Sequence, residues 1–214
     1  NIRKHSKIVF TLENYVKQGA MTEKQHEVIL DAIHKKKNII AAGGTASGKT
    51  TLLNAILAEI SQLDERVITI EDTKELKCTA ENKVALTTTD TVDMENLLRK
   101  TLRLSPNRIV VGEVRGKEAL ILMDAWSTGH RGGCSTVHSD SAVDTLFRLE
   151  DLVSRVSLST QQAGIARAID VIVYIARRAT SRKVEEVLAI DGWDREKGEY
   201  ITHRLDVPEE PEEA

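Results

Sequence analysis

At 214 residues, 41% of them apolar and 29% charged, the chain is long enough to bury the core of one large α/β domain. No apolar run approaches the roughly 20 residues of a transmembrane helix, and no signal-peptide pattern is present, which points to a cytoplasmic chain without an integral membrane segment. Net charge is −3, with five negatives in the tail (Asp206, Glu209, Glu210, Glu212, Glu213), and aromatics are 3%, so bulk charge and base stacking give little support to strong nucleic-acid binding.

Residues 1–20 read as a basic lead-in (Arg3, Lys4, Lys7) with a short helix over 12–18, stopped by Gly19. Thr22 to Gln25 has the form of a capping box and opens a helix with Val28, Ile29, Ala32 and Ile33 on its apolar face. Residues 37–42 form a short apolar strand, followed by a glycine-bounded loop and an amphipathic helix over 52–60. A second buried strand over 66–72 ends in acid, and 84–88 is a third apolar stretch. Leucines at helical spacing predict a helix over 94–104, ending before Ser105-Pro106. The near-continuous apolar run 108–113 again ends in acid, and a helix follows over 117–127. After the glycine-rich loop 129–133 come a short strand over 135–138, helices over 142–153 and 160–169, and a hydrophobic strand over 171–175. Segments 184–190 and 199–204 predict a closing hairpin around Gly192 and Gly198, and the acidic tail from Pro208 is expected to be disordered. Cys78 and Cys134 lack metal-ligand spacing and read as two reduced thiols.

Strands alternating with helices imply a mostly parallel sheet with helices on both faces, closed by a C-terminal β-hairpin. In such sheets ligands sit beyond the carboxyl ends of the strands. Gly43, Glu71, Glu113 and His138 all fall at or just past such ends, so four reactive segments should meet at one edge.

Gly43, Gly48, Lys49 and Thr50 have the spacing of a P-loop, G-x-x-x-x-G-K-[ST], completed by Gly44, Thr45, Ala46, Ser47 and Thr51. The glycines let backbone N–H groups converge on phosphate oxygens, and the helix N terminus adds its free N–H groups. Lys49 can reach the β- and γ-phosphates, and the Thr50 hydroxyl can ligate Mg²⁺. Glu113 stands as a Walker B acid with Gly112 where many P-loop enzymes carry a metal-binding Asp, so Glu113 serves the metal, the water or both. Glu71 is placed to accept a proton from attacking water, and Asp72 beside it is a further metal candidate. His138 is a candidate γ-phosphate sensor, and Arg99, Arg103 and Arg115 are candidate charge stabilisers, in cis or from a neighbouring subunit.

Four stretches, in order, resemble the boxes of the secretion or traffic ATPases, in their type IV secretion and conjugative-transfer (TrbB-like) branch. Residues 43–50 resemble the Walker A box, 68–76 the Asp box, 108–119 the Walker B box with Gly-Glu in place of Asp-Glu, and 127–140 the His box. The resemblance runs from about residue 2 to 190 and implies a RecA-like motor domain over 21–206 that hydrolyses ATP with Mg²⁺ as a homo-hexamer. It places the protein peripherally at the inner face of the cell membrane, beside inner-membrane type IV secretion or conjugation components. It also implies that 1–20 end a linker in which Arg3 approaches the nucleotide, that 207–214 are a tail, and that the family's N-terminal domain is absent from this chain. The expected function is ATP hydrolysis powering conjugative transfer of DNA or protein, or pilus biogenesis. A RecA-like translocase or helicase and a nucleotide-switched assembly subunit are the alternatives, and direct contact with nucleic acid stays open.

Overall fold

The computed structural model describes residues 10–157, 161–179 and 181–207. Arg3, most of the basic lead-in, the first residue of the helix expected over 160–169 and the tail from Pro208 lie outside the described residues.

The chain runs α1 (Leu12–Lys17), α2 (Glu23–His34), β1 (Ile39–Gly43), α3 (Lys49–Ile60), β2 (Val67–Glu71), β3 (Lys83–Thr87), α4 (Met94–Thr101), β4 (Arg108–Val111) and α5 (Glu118–Ser127). It continues through β5 (Cys134–His138), α6 (Ala142–Ser154), α7 (Gln162–Ala168), β6 (Val171–Arg177), β7 (Arg182–Asp194) and β8 (Glu199–Arg204). Among the described residues no helix is long and apolar enough to cross a membrane.

One sheet holds all eight strands in the order β3-β2-β4-β5-β1-β6-β7-β8. The six from β3 to β6 are parallel, and β6, β7 and β8 form an antiparallel meander at one edge. Every residue of β1, β2 and β4 is buried, as strands covered on both faces require. Side-chain alternation feeds two cores. Ile40, Ala42, Ile70, Val111 and Ile172 pack under α4 to α7, while Ile39, Ala41, Val67, Val110 and Val173 pack under α1 to α3. Helix α1 belongs to that second core through buried Leu12 and Tyr15.

Local chemistry sets the starts of several helices. Thr22 accepts from the Gln25 N–H at 3.1 Å while the Gln25 side chain accepts from the Thr22 N–H at 3.0 Å, the reciprocal capping box read in the sequence. Loss of such a cap costs about 1 kcal/mol. At the amino ends of the strands, Asn38 Oδ1 accepts the N–H groups of Gly132 (2.8 Å) and Gly133 (3.1 Å), which locks the loop before β5 to the start of β1. The buried Arg108 guanidinium pairs with Glu65 and donates to the Ile33 and Gly132 carbonyls, so its charge is matched where water is excluded.

Two sequence expectations shift. Helix α4 stops at Thr101 rather than 104: the backbone tightens into three-residue turns, with the Arg103 N–H donating to the Lys100 carbonyl (3.1 Å) and the Leu104 N–H to the Thr101 carbonyl (2.9 Å), and Leu102 and Leu104 are left partly exposed. Gly192 is not part of the hairpin turn. It sits inside β7, where the register shifts between Ile190 and Gly192, and the turn instead ends at Gly198, φ 70°.

Burial also separates the two thiols. Cys134 is fully buried on β5, and desolvation pushes its pKa up to about 12, whereas Cys78 is partly exposed. Cys78 is therefore expected to react with a thiol reagent such as DTNB in the native protein and Cys134 only on unfolding. Equal reaction of both before unfolding would contradict this packing.

Candidate nucleotide site

Four neighbouring parallel strands, β2, β4, β5 and β1, bring their carboxyl ends to one edge of the sheet. Glu71 ends β2, Gly112-Glu113 follow β4, His138 ends β5, and Gly43 ends β1 in register with His138. Beyond this edge lies a cleft of about 560 Å³ lined by loop residues 45, 46 and 48–51 together with Glu71, Asp72, Glu75, Glu113, Arg115 and His138.

The loop has a cradle's construction. A Cβ on Gly43 would collide with the Ile175 carbonyl of β6. Gly48 is left-handed at φ 100° and is the N-cap of α3, whose N terminus receives no side-chain cap. A 12-residue helix thus presents free N–H groups and its positive dipole end beside the cleft. Lys49 is buried, and its Nζ donates to the Gly44 carbonyl at 2.9 Å. Burial lowers the Lys49 pKa below the ordinary lysine value, the Glu113 charge opposes that shift, and Arg115 adds to it.

The acids differ in how they are held. Glu71 is buried, and its Oε2 accepts the N–H groups of Glu75 (2.7 Å) and Leu76 (2.8 Å), so this carboxylate folds the 72–76 loop as well as lining the cleft. Asp72 is half-exposed, accepts from the Thr88 hydroxyl at 3.1 Å and stands 3.9 Å from Arg115. Glu113 pairs with Arg115 at 2.6 Å. The neighbouring turn is fixed by Glu118, whose Oε1 accepts the N–H groups of Arg115 (2.6 Å) and Gly116 (2.8 Å). His138 is exposed, with its Nε2 3.3 Å from the Thr45 hydroxyl, which ties the end of β5 to the loop.

Of the residues singled out in the sequence, Thr45, Ala46, Gly48, Lys49, Thr50, Thr51, Glu71, Asp72, Glu113, Arg115 and His138 line one cleft. Arg99 does not line it: its guanidinium pairs with Glu95 on the exposed face of α4 at 3.1 Å. Arg103 is exposed in the turn after α4 and is also outside the cleft lining. Two residues escaped the sequence reading. Glu118 looks like an ordinary first-turn helix acid, and Arg182 is 136 residues from the loop carbonyl it touches, so no spacing rule connects them.

Among the described residues no group of three or more His, Cys, Asp and Glu side chains is arranged to hold a metal by itself. Mg²⁺ takes one or two protein oxygens and completes its shell with water and substrate phosphates. Thr50, Glu113 and Asp72 line the same cleft as the uncapped α3 terminus, so the donors and the phosphate cradle fit one Mg·nucleotide.

Comparison with known proteins agrees with this geometry. The family described as "Type II/IV secretion system protein" matches residues 1–202. The conjugal transfer protein TrbB of Rhizobium radiobacter is 48% identical over 194 residues, covering 90% of this chain and 60% of the relative. A probable conjugal transfer protein TrbB of Sinorhizobium fredii is 44% identical over 214 residues, covering 99% of this chain and 65% of the relative. The chain thus spans less than two thirds of the length of these relatives. Among solved structures, the VirB11 ATPase of the Brucella suis type IV secretion system, in complex with sulphate, superposes with a TM-score of 0.71 at 30% identity, covering 87% of this chain and 60% of that one. The pilus retraction motor PilT with bound ADP superposes with a TM-score of 0.67 at 23% identity, covering 86% of this chain and 54% of that one, a likeness of fold. Phosphate loop, strand-end acids, sheet order and matched relatives together place the chain in the type II/IV secretion system protein family, in its type IV secretion and conjugative-transfer branch.

Proposed function

We propose that residues 21–206 form a RecA-like motor domain that hydrolyses ATP with Mg²⁺. One observation carries this reading: the uncapped N terminus of α3, Lys49, Glu71, Glu113 and His138 all border one cleft. In this reading the loop N–H groups of 44–50 and Lys49 hold the phosphates. Thr50 and Glu113, with Asp72 nearby, hold Mg²⁺, which when bound neutralises charge on the β- and γ-phosphates. Glu71 or Glu113 accepts the proton of attacking water, and Arg115 offers positive charge next to Glu113. His138, within reach of Thr45, couples γ-phosphate occupancy to the position of the loop. Arg3 is assigned to the nucleotide on the strength of the family resemblance alone, and the outward-facing Arg99 and Arg103, which do not line this cleft, are assigned as charge stabilisers for a neighbouring subunit.

The names of the TrbB relatives support coupling to conjugal transfer; moving DNA or protein, or building a pilus, is the work proposed for it. A ring of six copies, attached peripherally at the inner face of the membrane beside type IV secretion components, completes the proposal. The test is phosphate release from ATP by the full-length protein. Release that requires Mg²⁺ and stops with EDTA is the expected result, and no release under any condition rejects the reading. Added DNA in the same assay separates the translocase alternative, which requires a stimulated, salt-sensitive rate.

His138→Ala in the full-length protein is expected to lower conjugation by at least about tenfold, the scale of one hydrogen bond to a charged group, while ATP still binds. Mating efficiency equal to that of the unmodified protein would remove His138 from the coupling route.

A further inference from the structure

The phosphate loop is supported from behind by the β6–β7 hairpin, on the side of β1 opposite the strands that carry the carboxylates. Ile175 stands against Gly43, and Arg182 stands against Gly48, where an added Cβ would come within 2.8 Å of Arg182 Cδ. Between these two glycines, Ala46 is held at φ 59°, a left-handed conformation that an L-residue adopts at a cost. Its carbonyl accepts a hydrogen bond from Arg182 Nε at 3.2 Å. Arg177 lies directly opposite Arg182 across the antiparallel pair. Like charges so placed repel one another. Arg178, by contrast, is taken by Glu185 at 2.8 Å.

We infer that Arg182 is a positioning residue for the phosphate loop: its Nε–H holds the Ala46 carbonyl, and this bond keeps the loop in the left-handed turn that aims its N–H groups at phosphate. The inference rests on the nucleotide reading of the cleft. Because the carboxylates lie across β1 from this hairpin, its loss should weaken binding more than chemistry.

Gln places an N–H at the position of Arg Nε without the charge, and Met fills the same length with neither donor nor charge. In full-length protein titrated with ADP and Mg²⁺, Arg182→Met is expected to lose about tenfold in affinity and Arg182→Gln less than about threefold. The KM for ATP should rise in Arg182→Met by more than kcat falls. Adding Ala46→Gly to Arg182→Met should recover most of the loss, since glycine adopts positive φ without help. Wild-type affinity in Arg182→Met, equal losses in the Met and Gln variants, or a loss that Ala46→Gly leaves in place would each overturn the inference. Failure of the unmodified protein to bind ADP would instead reject the nucleotide reading itself.

Discussion

Lys49→Ala is expected to abolish ATP turnover and to weaken Mg·ATP binding by about a hundredfold or more. Lys49 is buried in the cleft wall, with Nζ 2.9 Å from the Gly44 carbonyl, so its ammonium is positioned by the loop itself. Hydrogen bonds to charged groups contribute about 1.5–3 kcal/mol each, and a lysine bridging two phosphates makes more than one. The variant removes a partly desolvated cation, and the relief of that burial offsets the loss of the loop bond to Gly44 and of the attraction to Glu113. The melting temperature should therefore move little while calorimetric binding collapses. The lowered Lys49 pKa adds a pH signature. Phosphate binding needs the protonated amine, so on raising pH the affinity should begin to fall below the ordinary lysine range. Normal turnover by Lys49→Ala would contradict the motor reading.

Glu113→Gln and Glu71→Gln are each expected to leave ATP bound and to slow hydrolysis by about a hundredfold or more, the usual contribution of a general base. The structure makes Gln the informative replacement at both positions. A Gln carbonyl at 71 can still accept the Glu75 and Leu76 N–H groups, so the 72–76 loop stays folded and only the charge is lost. A Gln carbonyl at 113 can still accept from Arg115. Repeating single-turnover hydrolysis over a range of Mg²⁺ separates the roles: a rate restored by excess metal marks a metal-supporting acid, and a rate insensitive to metal marks the base. Unchanged rates in both variants would reject both assignments.

The parts of this site that are local in sequence are legible there. The P-loop is a spacing of a few residues ending in a helix, and buried parallel strands leave apolar runs whose ends mark the edge where Glu71, Glu113 and His138 gather. What is not legible depends on pairing over distance. The sheet inserts β5 between β1 and β4, which sets His138 beside Gly43, and no local pattern specifies that order. Backing of the loop by Ile175 and Arg182 likewise requires the meander to be placed beside β1. The double duty of Glu71, lining the cleft and capping its own loop, depends on which way the 72–76 backbone folds back. The early end of α4 lies in the three-residue turns that the Arg103 and Leu104 N–H groups close, which the leucine spacing over 94–104 does not report.

The most direct test is a crystal structure of the full-length protein with ADP, Mg²⁺ and aluminium fluoride, a mimic of phosphate in transfer. The expected structure has the β-phosphate on the N–H groups of the 44–50 loop with Lys49, Mg²⁺ on the Thr50 hydroxyl, and the fluoride group facing Glu71, Glu113 and His138. A nucleotide bound away from this cleft, or a fluoride group with neither carboxylate beside it, would contradict it.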